Sequence, residues 1–444
     1  MYILNSNVII LDLDDKFKAL VNPRISDGIK IINKIQFDLF ELILKGEKIK
    51  DIEYFLCVSE ESILKFIQSL VRKNIIYEAE ADVCSSFKKE NFSKSLDFWI
   101  HITDLCNLKC SYCFLSSDRT KGNTMEDSTI DLFIQKLTNV VDKYHINRLN
   151  IRFAGGEPLL KFDVLKDIYS KINNKFRYKL HITYSIISNL TNITSEVVSF
   201  LIQNDISIGF SIDGIGDFNN INRLMKNGGD SFSLIQKNID LLIDAGVNKM
   251  GALVVVSDNN LDGLLDLVHF FVEKRLSYRL SIVRNAKFNY EKAIVVFKAL
   301  YSYLETIINC GYEFSKYHKL CDIKFLKPSL YTCSSGINSA AIDVSGNLYF
   351  CPYHIGDKSR ILGNMSSVDD LFHIIERGHQ YINPVHSDCI NCSYLYICTN
   401  GCPLYLENGK TPSCLFYKEI IPIVYRLLCL EKLYQIKFLV NSPF

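Results

Sequence analysis

The chain has 444 residues, 48% hydrophobic and 22% charged, with a formal net charge of +1. That composition describes a globular protein of two or three domains and excludes a disordered chain or a strongly basic nucleic-acid binder. No stretch reaches the roughly 18 apolar residues of a membrane helix, and "MYILNSNVIILDLDDK" has no basic start, so it is not read as a signal peptide. The expectation is a cytoplasmic chain with reduced thiols and with no nucleic-acid or membrane partner.

In chain order, residues 1–82 form a first region. "NSNVIILDLDDKFKALVNP" has short apolar runs split by acids and lysine, which predicts two or three strands. "IQFDLFELILKG" and "SEESILKFIQSLVRKNIIYEA" repeat apolar residues at three-and-four spacing, the pattern of two amphipathic helices, and "NIIYEA" reads as a return strand. Strands followed by a small helical cluster make a winged-helix-like unit. Polar, lysine-rich residues 83–95 read as a linker. From residue 96 to 310 strand and helix alternate, with strands at "FWIHIT" (98–103), "RLNIRF" (148–153), "LHITYSII" (180–187), "ISIGFS" (206–211), "MGALVVVS" (250–257) and "YRLSIV" (278–283). Such alternation predicts βαβ units and a parallel sheet, either an open partial barrel or a doubly wound sheet. Residues 311–425 are cysteine-rich, and 426–444 form a tail.

In parallel sheets of this kind ligands collect at the C-terminal strand ends. Here strand one runs into "TDLCNLKCSYC", strand two into "AGGEP", strand three into Ser188 and Asn189, and strand four into "SIDG". Thiols, a Gly-Gly-Glu turn and a Ser-x-Asp-Gly turn thus share one rim, which core packing alone does not explain. Glycines let backbone approach a ligand closely and leave carbonyls to accept from an ammonium group. Glu157 adds a carboxylate for that cation, and Arg223 is suited to a carboxylate.

The fifteen cysteines are uneven. Cys57 and Cys84 come first, then Cys106, Cys110 and Cys113 within eight residues. None follows until Cys310; nine fall from Cys310 to Cys414, and Cys429 trails. An odd number in a reducing compartment points to metal ligation over disulfides. A structural zinc or an ordinary iron–sulfur cluster takes four protein ligands, so three thiols leave one position open. The competing assignment is a zinc site closed by His101.

Cys106-x3-Cys110-x-Tyr112-Cys113, followed by Gly155-Gly156-Glu157-Pro158, resembles the radical S-adenosylmethionine (SAM) enzymes over residues 96–310. The resemblance implies an α/β fold, a partial (β/α)6 radical SAM barrel. It implies that Cys106, Cys110 and Cys113 hold a catalytic [4Fe–4S] cluster whose open iron is chelated by SAM. It places Tyr112 against the adenine and Gly155, Gly156 and Glu157 on the methionine ammonium. Ser188, Ser211 and Asp213 would lie at or near the ribose, and Arg223 would pair the carboxylate. It also implies an electron donor such as flavodoxin or ferredoxin.

The later cysteines resemble a SPASM domain, which carries two auxiliary [4Fe–4S] clusters. They read Cys333-x12-Gly346-x4-Cys351, then Cys389-x2-Cys392-x5-Cys398-x3-Cys402, then Cys414. By that resemblance Cys389, Cys392, Cys398 and Cys414 hold the outer cluster, and Cys333, Cys351 and Cys402 the inner one. Cys321 is the nearest candidate for the inner cluster's fourth ligand. Residues 1–82 are similar to PqqD-type precursor-recognition domains. The resemblance therefore implies a maturase that crosslinks a ribosomally made precursor peptide. Two alternatives stand beside it: an anaerobic sulfatase-maturating (formylglycine-forming) enzyme, and a non-catalytic iron–sulfur electron carrier. Sulfatase maturases typically carry an Asp after the second Cys of the Gly-x4-Cys motif, and Pro352 stands there.

Overall fold

The computed structural model describes residues 2–79, 94–115, 122–284, 286–377 and 385–441. Residues 83–93 of the expected linker lie outside them. The chain divides into two compact units, one made of residues 1–89, 289–332 and 385–444, the other of 90–288 and 333–384.

In the second unit all six expected strands are present, at Ser95–His101, Arg148–Ala154, His181–Ser188, Ser207–Ser211, Met250–Val256 and Ser277–Ile282. They lie side by side in chain order and every neighbouring pair is parallel. This is the expected α/β alternation around a parallel sheet, with helices such as Asp127–Tyr144 and Phe162–Phe176 in the crossovers. The first strand starts three residues earlier than its apolar run, because Ser95 and Asp97 pair with Arg148 and Asn150 although neither is apolar. Beyond it lie Ser339–Ile342, parallel to the first strand, and then the antiparallel strands Asn347–Tyr349 and Ile361–Asn364.

Alternation along the strands separates two faces. Leu96, Phe98 and Ile100 are buried, and the Phe98 ring meets Phe133 of the first crossover helix edge-on at 5.2 Å. Asp97 and Trp99 therefore point to the opposite face, away from the helices. Ile151 and Phe153 on the next strand share the helix side, leaving Asn150 and Arg152 beside Asp97 and Trp99.

In the first unit, strands Ile9–Asp12, Phe17–Val21 and Ile29–Asn33 form an antiparallel sheet in chain order, and Tyr2–Leu4 pairs with Ile76–Glu78. Helix Lys34–Lys45 starts at a capping box between Asn33 and Gln36 and stops at Gly46, whose φ of 80° is open to glycine at no steric cost. Helix Glu60–Arg72 is capped by Ser59. Between them lies a helix the sequence pattern did not announce, Ile49–Leu56; it has eight residues, one buried side chain (Ile52) and no side-chain cap. Leu20, Ile32, Phe40, Ile63, Leu70 and Ile76 form this region's core. Helix Tyr290–Ile308 packs along helix Cys414–Asn441, with Phe297 edge-on to Phe416 at 4.9 Å. Residues 426–441, expected as a tail, continue that helix, since Leu427, Leu428 and Leu433 keep an apolar side buried. No described helix is long and apolar enough to cross a membrane.

Candidate active site

The loop after the first strand folds back on itself. Leu108–Cys110 makes a short antiparallel ladder with Arg223–Met225, placing Cys110 opposite Arg223. Ser111 N donates to Asn222 O at 2.9 Å and Lys226 N to Asn107 O at 2.9 Å, extending the ladder at both ends. A segment more than a hundred residues downstream thereby brings its cation to the thiol loop.

Cys106 and Cys110 are half-buried and Cys113 is exposed. Burial pushes the Cys110 thiol up to about 11 and raises Cys106, while the Arg223 charge opposes both shifts. Cys113 acts on each of the other two, so the three share one neighbourhood. Cys106 Sγ also accepts from Leu108 N at 3.4 Å and from Asn189 Nδ2 at 3.8 Å. His101, the alternative zinc ligand, is buried, with Nε2 3.0 Å from Asp104 Oδ1.

The two glycines of the Gly-Gly-Glu turn press against this loop. Gly156 N donates to Thr103 O and Glu157 N to Leu105 O, both at 2.7 Å. A Cβ on Gly155 would sit 2.5 Å from Thr103 O, and one on Gly156 2.3 Å from Leu105 O. The sequence gives a reason for glycine in ligand approach; the structure adds another, that two loops cannot close with any side chain between them.

Glu157 is buried, and its carboxylate accepts from Ser188 Oγ at 2.8 Å, Leu159 N at 3.1 Å and Asn189 N at 2.6 Å. Desolvation lifts it to about 7 against those three donors. Ser188 Oγ in turn accepts from Leu190 N at 2.9 Å, so both roles of its hydroxyl are taken inside the protein. Ser188 is thereby a support for Glu157.

Asp213 is fully buried at the end of the fourth strand. One oxygen accepts from Val255 N at 2.9 Å; the other meets the Tyr112 hydroxyl and lies 3.5 Å from Arg223 Nη1. Arg223 Nη1 also meets the Tyr112 hydroxyl, while its buried Nε has no partner among the described residues. Burial raises the Asp213 carboxyl, and the Arg223 charge opposes that. Tyr112, Asp213 and Arg223 thus form one network, where the resemblance implies three separate contacts. Ser211, half-buried, closes its strand two residues before Asp213.

Buried asparagines hold this rim. Asn222 joins Ser111, Ser257 and Asn259, Asn219 accepts from Asp213 N at 3.0 Å, and Asn260 donates to Asp213 O at 2.6 Å. In a sequence asparagine reads as a turn residue, so no local signal distinguishes these. Phe114 and Tyr353 form a further aromatic contact at 4.8 Å, joining the segments after Cys113 and Cys351.

Among the later cysteines, Cys389, Cys392, Cys398 and Cys414 lie together in the first unit. Burial lifts Cys398 to about 12, and the other three add to the rise. Cys402 and Cys321 belong to the same unit, and Cys321 Sγ contacts Asp322 Oδ1 at 3.5 Å. Cys333 is exposed, and Cys351 opens the turn Pro352–His354; both belong to the second unit. Among the described residues no three His, Cys, Asp or Glu side chains already stand in ion-holding geometry. The thiol sets are recognised by shared surroundings alone.

A strand-end rim of three thiols, a glycine turn and a buried Tyr–Asp–Arg network defines a class: enzymes with an iron–sulfur cluster beside a nucleotide cosubstrate. Residues 100–271 match the radical SAM superfamily, and they form a radical SAM domain. The cofactors of that family are a [4Fe–4S] cluster and SAM, and the three thiols beside the glycine turn fit them. The chain is 26% identical over 349 residues to the cysteine-type anaerobic sulfatase-maturating enzyme of Clostridium perfringens, covering 71% of this chain and 92% of that one. The solved structure of native anSMEcpe with bound AdoMet and Cp18Cys peptide has a TM-score of 0.62 at 22% identity, covering 76% of this chain and 99% of its own. Streptococcus suis SuiB bound to S-adenosylmethionine has a TM-score of 0.51 at 15% identity, covering 92% of this chain and 99% of its own.

Proposed function

We propose that the protein is a maturase that captures a ribosomally made precursor peptide and installs a thioether or carbon–carbon crosslink in it. The observation carrying this reading is the N-terminal module. Its strand Ile29–Asn33 pairs on one side only among the described residues, with Phe17–Val21. An open strand edge can take up an extended leader as an added strand.

At the rim, Cys106, Cys110 and Cys113 would hold the cluster, with the Gly155–Glu157 turn and Arg223 toward SAM. Bound there, these cofactors would supply one-electron reduction and radical hydrogen abstraction. Leu108 N and Asn189 Nδ2 stabilise charge on Cys106 Sγ. Glu157 is kept rigid by Ser188, Asn189 and Leu159. Tyr112 and Asp213 fix the guanidinium of Arg223. Cys389, Cys392, Cys398 and Cys414 would hold the outer auxiliary cluster, and Cys333, Cys351 and Cys402, with Cys321 as fourth candidate, the inner one. A flavodoxin or ferredoxin would supply electrons.

A second reading, sulfatase maturation, is favoured by the identity to the Clostridium perfringens enzyme. Against it, Pro352 follows Cys351, and Asp343 nearby is committed to Ser345, Asn347 and Tyr349. Co-expression with short peptides encoded beside the gene, followed by mass spectrometry, tests the two. Loss of two hydrogens per event is expected for a crosslink. Formylglycine formed on a sulfatase peptide, with the neighbouring peptides unchanged, would move the assignment to the second reading. A reduced, reconstituted protein that releases no 5′-deoxyadenosine even with a peptide would be an electron carrier.

A further inference from the structure

Arg152 stands on the sheet face turned away from the helices, in register with Trp99 on one side and Ser185 on the other. It lies three residues before Gly155, about 10 Å down the strand. Its side chain is 40% exposed, and its Nη2 is 3.8 Å from Asp97 Oδ2, beyond hydrogen-bond reach. The guanidinium makes no hydrogen bond among the described residues, although it carries five N–H donors. It sits 5.9 Å from the centroid of the Trp99 ring. Beside it, Asp97 Oδ1 and Trp99 Nε1 are buried without a partner among the described residues.

A purely structural arginine would be expected to close on Asp97 at about 2.7–2.9 Å. Here the carboxylate is near enough to orient the cation and too far to occupy it, while the indole covers part of the guanidinium. What remains is a planar fork of donors inside the sheet's open face. The group that matches it is a carboxylate, taken bidentately.

We infer that Arg152, oriented by Asp97 and backed by Trp99, binds a carboxylate of the substrate peptide and so sets which residue lies before the Gly155–Glu157 turn. This rests on the reading that a peptide enters the barrel. The carboxylate comes from an acidic side chain or from a free C-terminus.

Trp99 is the only tryptophan of the chain, so its fluorescence reports this site. The reconstituted full-length protein is titrated with N-acetylglutamate α-amide, with N-acetylalanine, and with neutral N-acetylglutamine α-amide. A saturable change with either carboxylate, and at least ~10-fold weaker binding of the neutral probe, is expected. Response to the glutamate amide identifies a side-chain carboxylate; response to N-acetylalanine identifies a C-terminus. Arg152→Gln should weaken carboxylate binding at least ~10-fold, with Arg152→Lys in between. Circular dichroism confirms that each variant is folded. If Arg152→Gln does not fold, the wild-type preference and Arg152→Lys decide. A Trp99 signal blind to both carboxylates, or equal affinity for the neutral probe, overturns the proposal. The wild-type cluster spectrum is recorded with SAM in parallel. Failure to respond to SAM sinks the underlying functional reading, whereas a normal response with silent Trp99 sinks only this inference.

Discussion

Cys106 carries a thiol with two nitrogen donors aimed at it, Leu108 N and Asn189 Nδ2. Donors to a cluster sulfur favour the more negative, reduced state. Asn189→Leu removes the side-chain donor, worth about 1 kcal/mol, which for one electron is about 40 mV. The reduction potential of the site cluster, read by electron paramagnetic resonance during a redox titration, should fall by that order. An unchanged potential would make Asn189 a scaffold residue only. Gly156→Ala acts differently, since its Cβ would meet backbone atoms of Leu105 and Asp104 at 2.3–2.7 Å. No side-chain rotation relieves such a clash. SAM binding measured by equilibrium dialysis should weaken at least ~10-fold, as misplacing the turn loses more than one good contact. At this scale the residue types were legible and their partners were not. Ser188 and Glu157 stand out in the sequence as separate polar strand ends; that the first donates to the second depends on two adjacent strands running in register.

Short elements position the rim. The ladder between Leu108–Cys110 and Arg223–Met225 has three residues on each side, too few for any sequence pattern to mark, yet it delivers Arg223 to the thiols. A comparable device acts on the outer thiols: Arg24 of the N-terminal module donates to Cys392 O at 2.9 Å and lies over Tyr396 at 5.3 Å. Arg24→Ala frees that loop. Iron release to a chelator from the reconstituted protein should be several-fold faster, with the loss confined to one cluster's worth of iron. An unaltered release rate would mean that the clamp does not restrain the loop. Elsewhere, helix Tyr290–Ile308 buries Tyr301 against His318, with Tyr301 Oη 3.1 Å from His318 Nε2. Desolvation lowers His318 to about 3. A base depressed in the folded state contributes stability that is complete above the unfolded value near 6.5 and is lost as pH falls toward 3. Between pH 7 and pH 5 that loss is about 2 kcal/mol. Urea titrations at both values should show it in the wild type, with a smaller loss in His318→Gln. Equal losses would remove His318 from the acid response.

For the molecule as a whole, the proposed function gives precursor capture and radical generation to different parts of the chain. Removing residues 1–79 should weaken binding of a matured precursor at least ~10-fold, as lost strand addition requires. Uncoupled release of 5′-deoxyadenosine should continue, since Cys106 to Arg223 lie outside the deleted stretch. Unaltered peptide affinity would end the leader-capture role. All six parallel strands were legible because each is an apolar run followed by a helical period, and the site loops because cysteine and glycine spacing is local. The helix Ile49–Leu56 and the extension of the last helix past residue 425 were not, since a short helix with one buried residue and a helix continued by packing leave little periodic trace. What the sequence determined by itself is the alternating architecture, the thiol spacings and the rim on which they fall, because these follow from neighbours along the chain. Only the tertiary structure decided that Tyr112, Asp213 and Arg223 form one network, that Asn189 reaches Cys106, and that Arg152 stands beside Trp99 and Asp97 without a hydrogen bond among the described residues. Those pairings depend on strand register and on loops meeting from distant positions, where burial and hydrogen-bond satisfaction choose the partner.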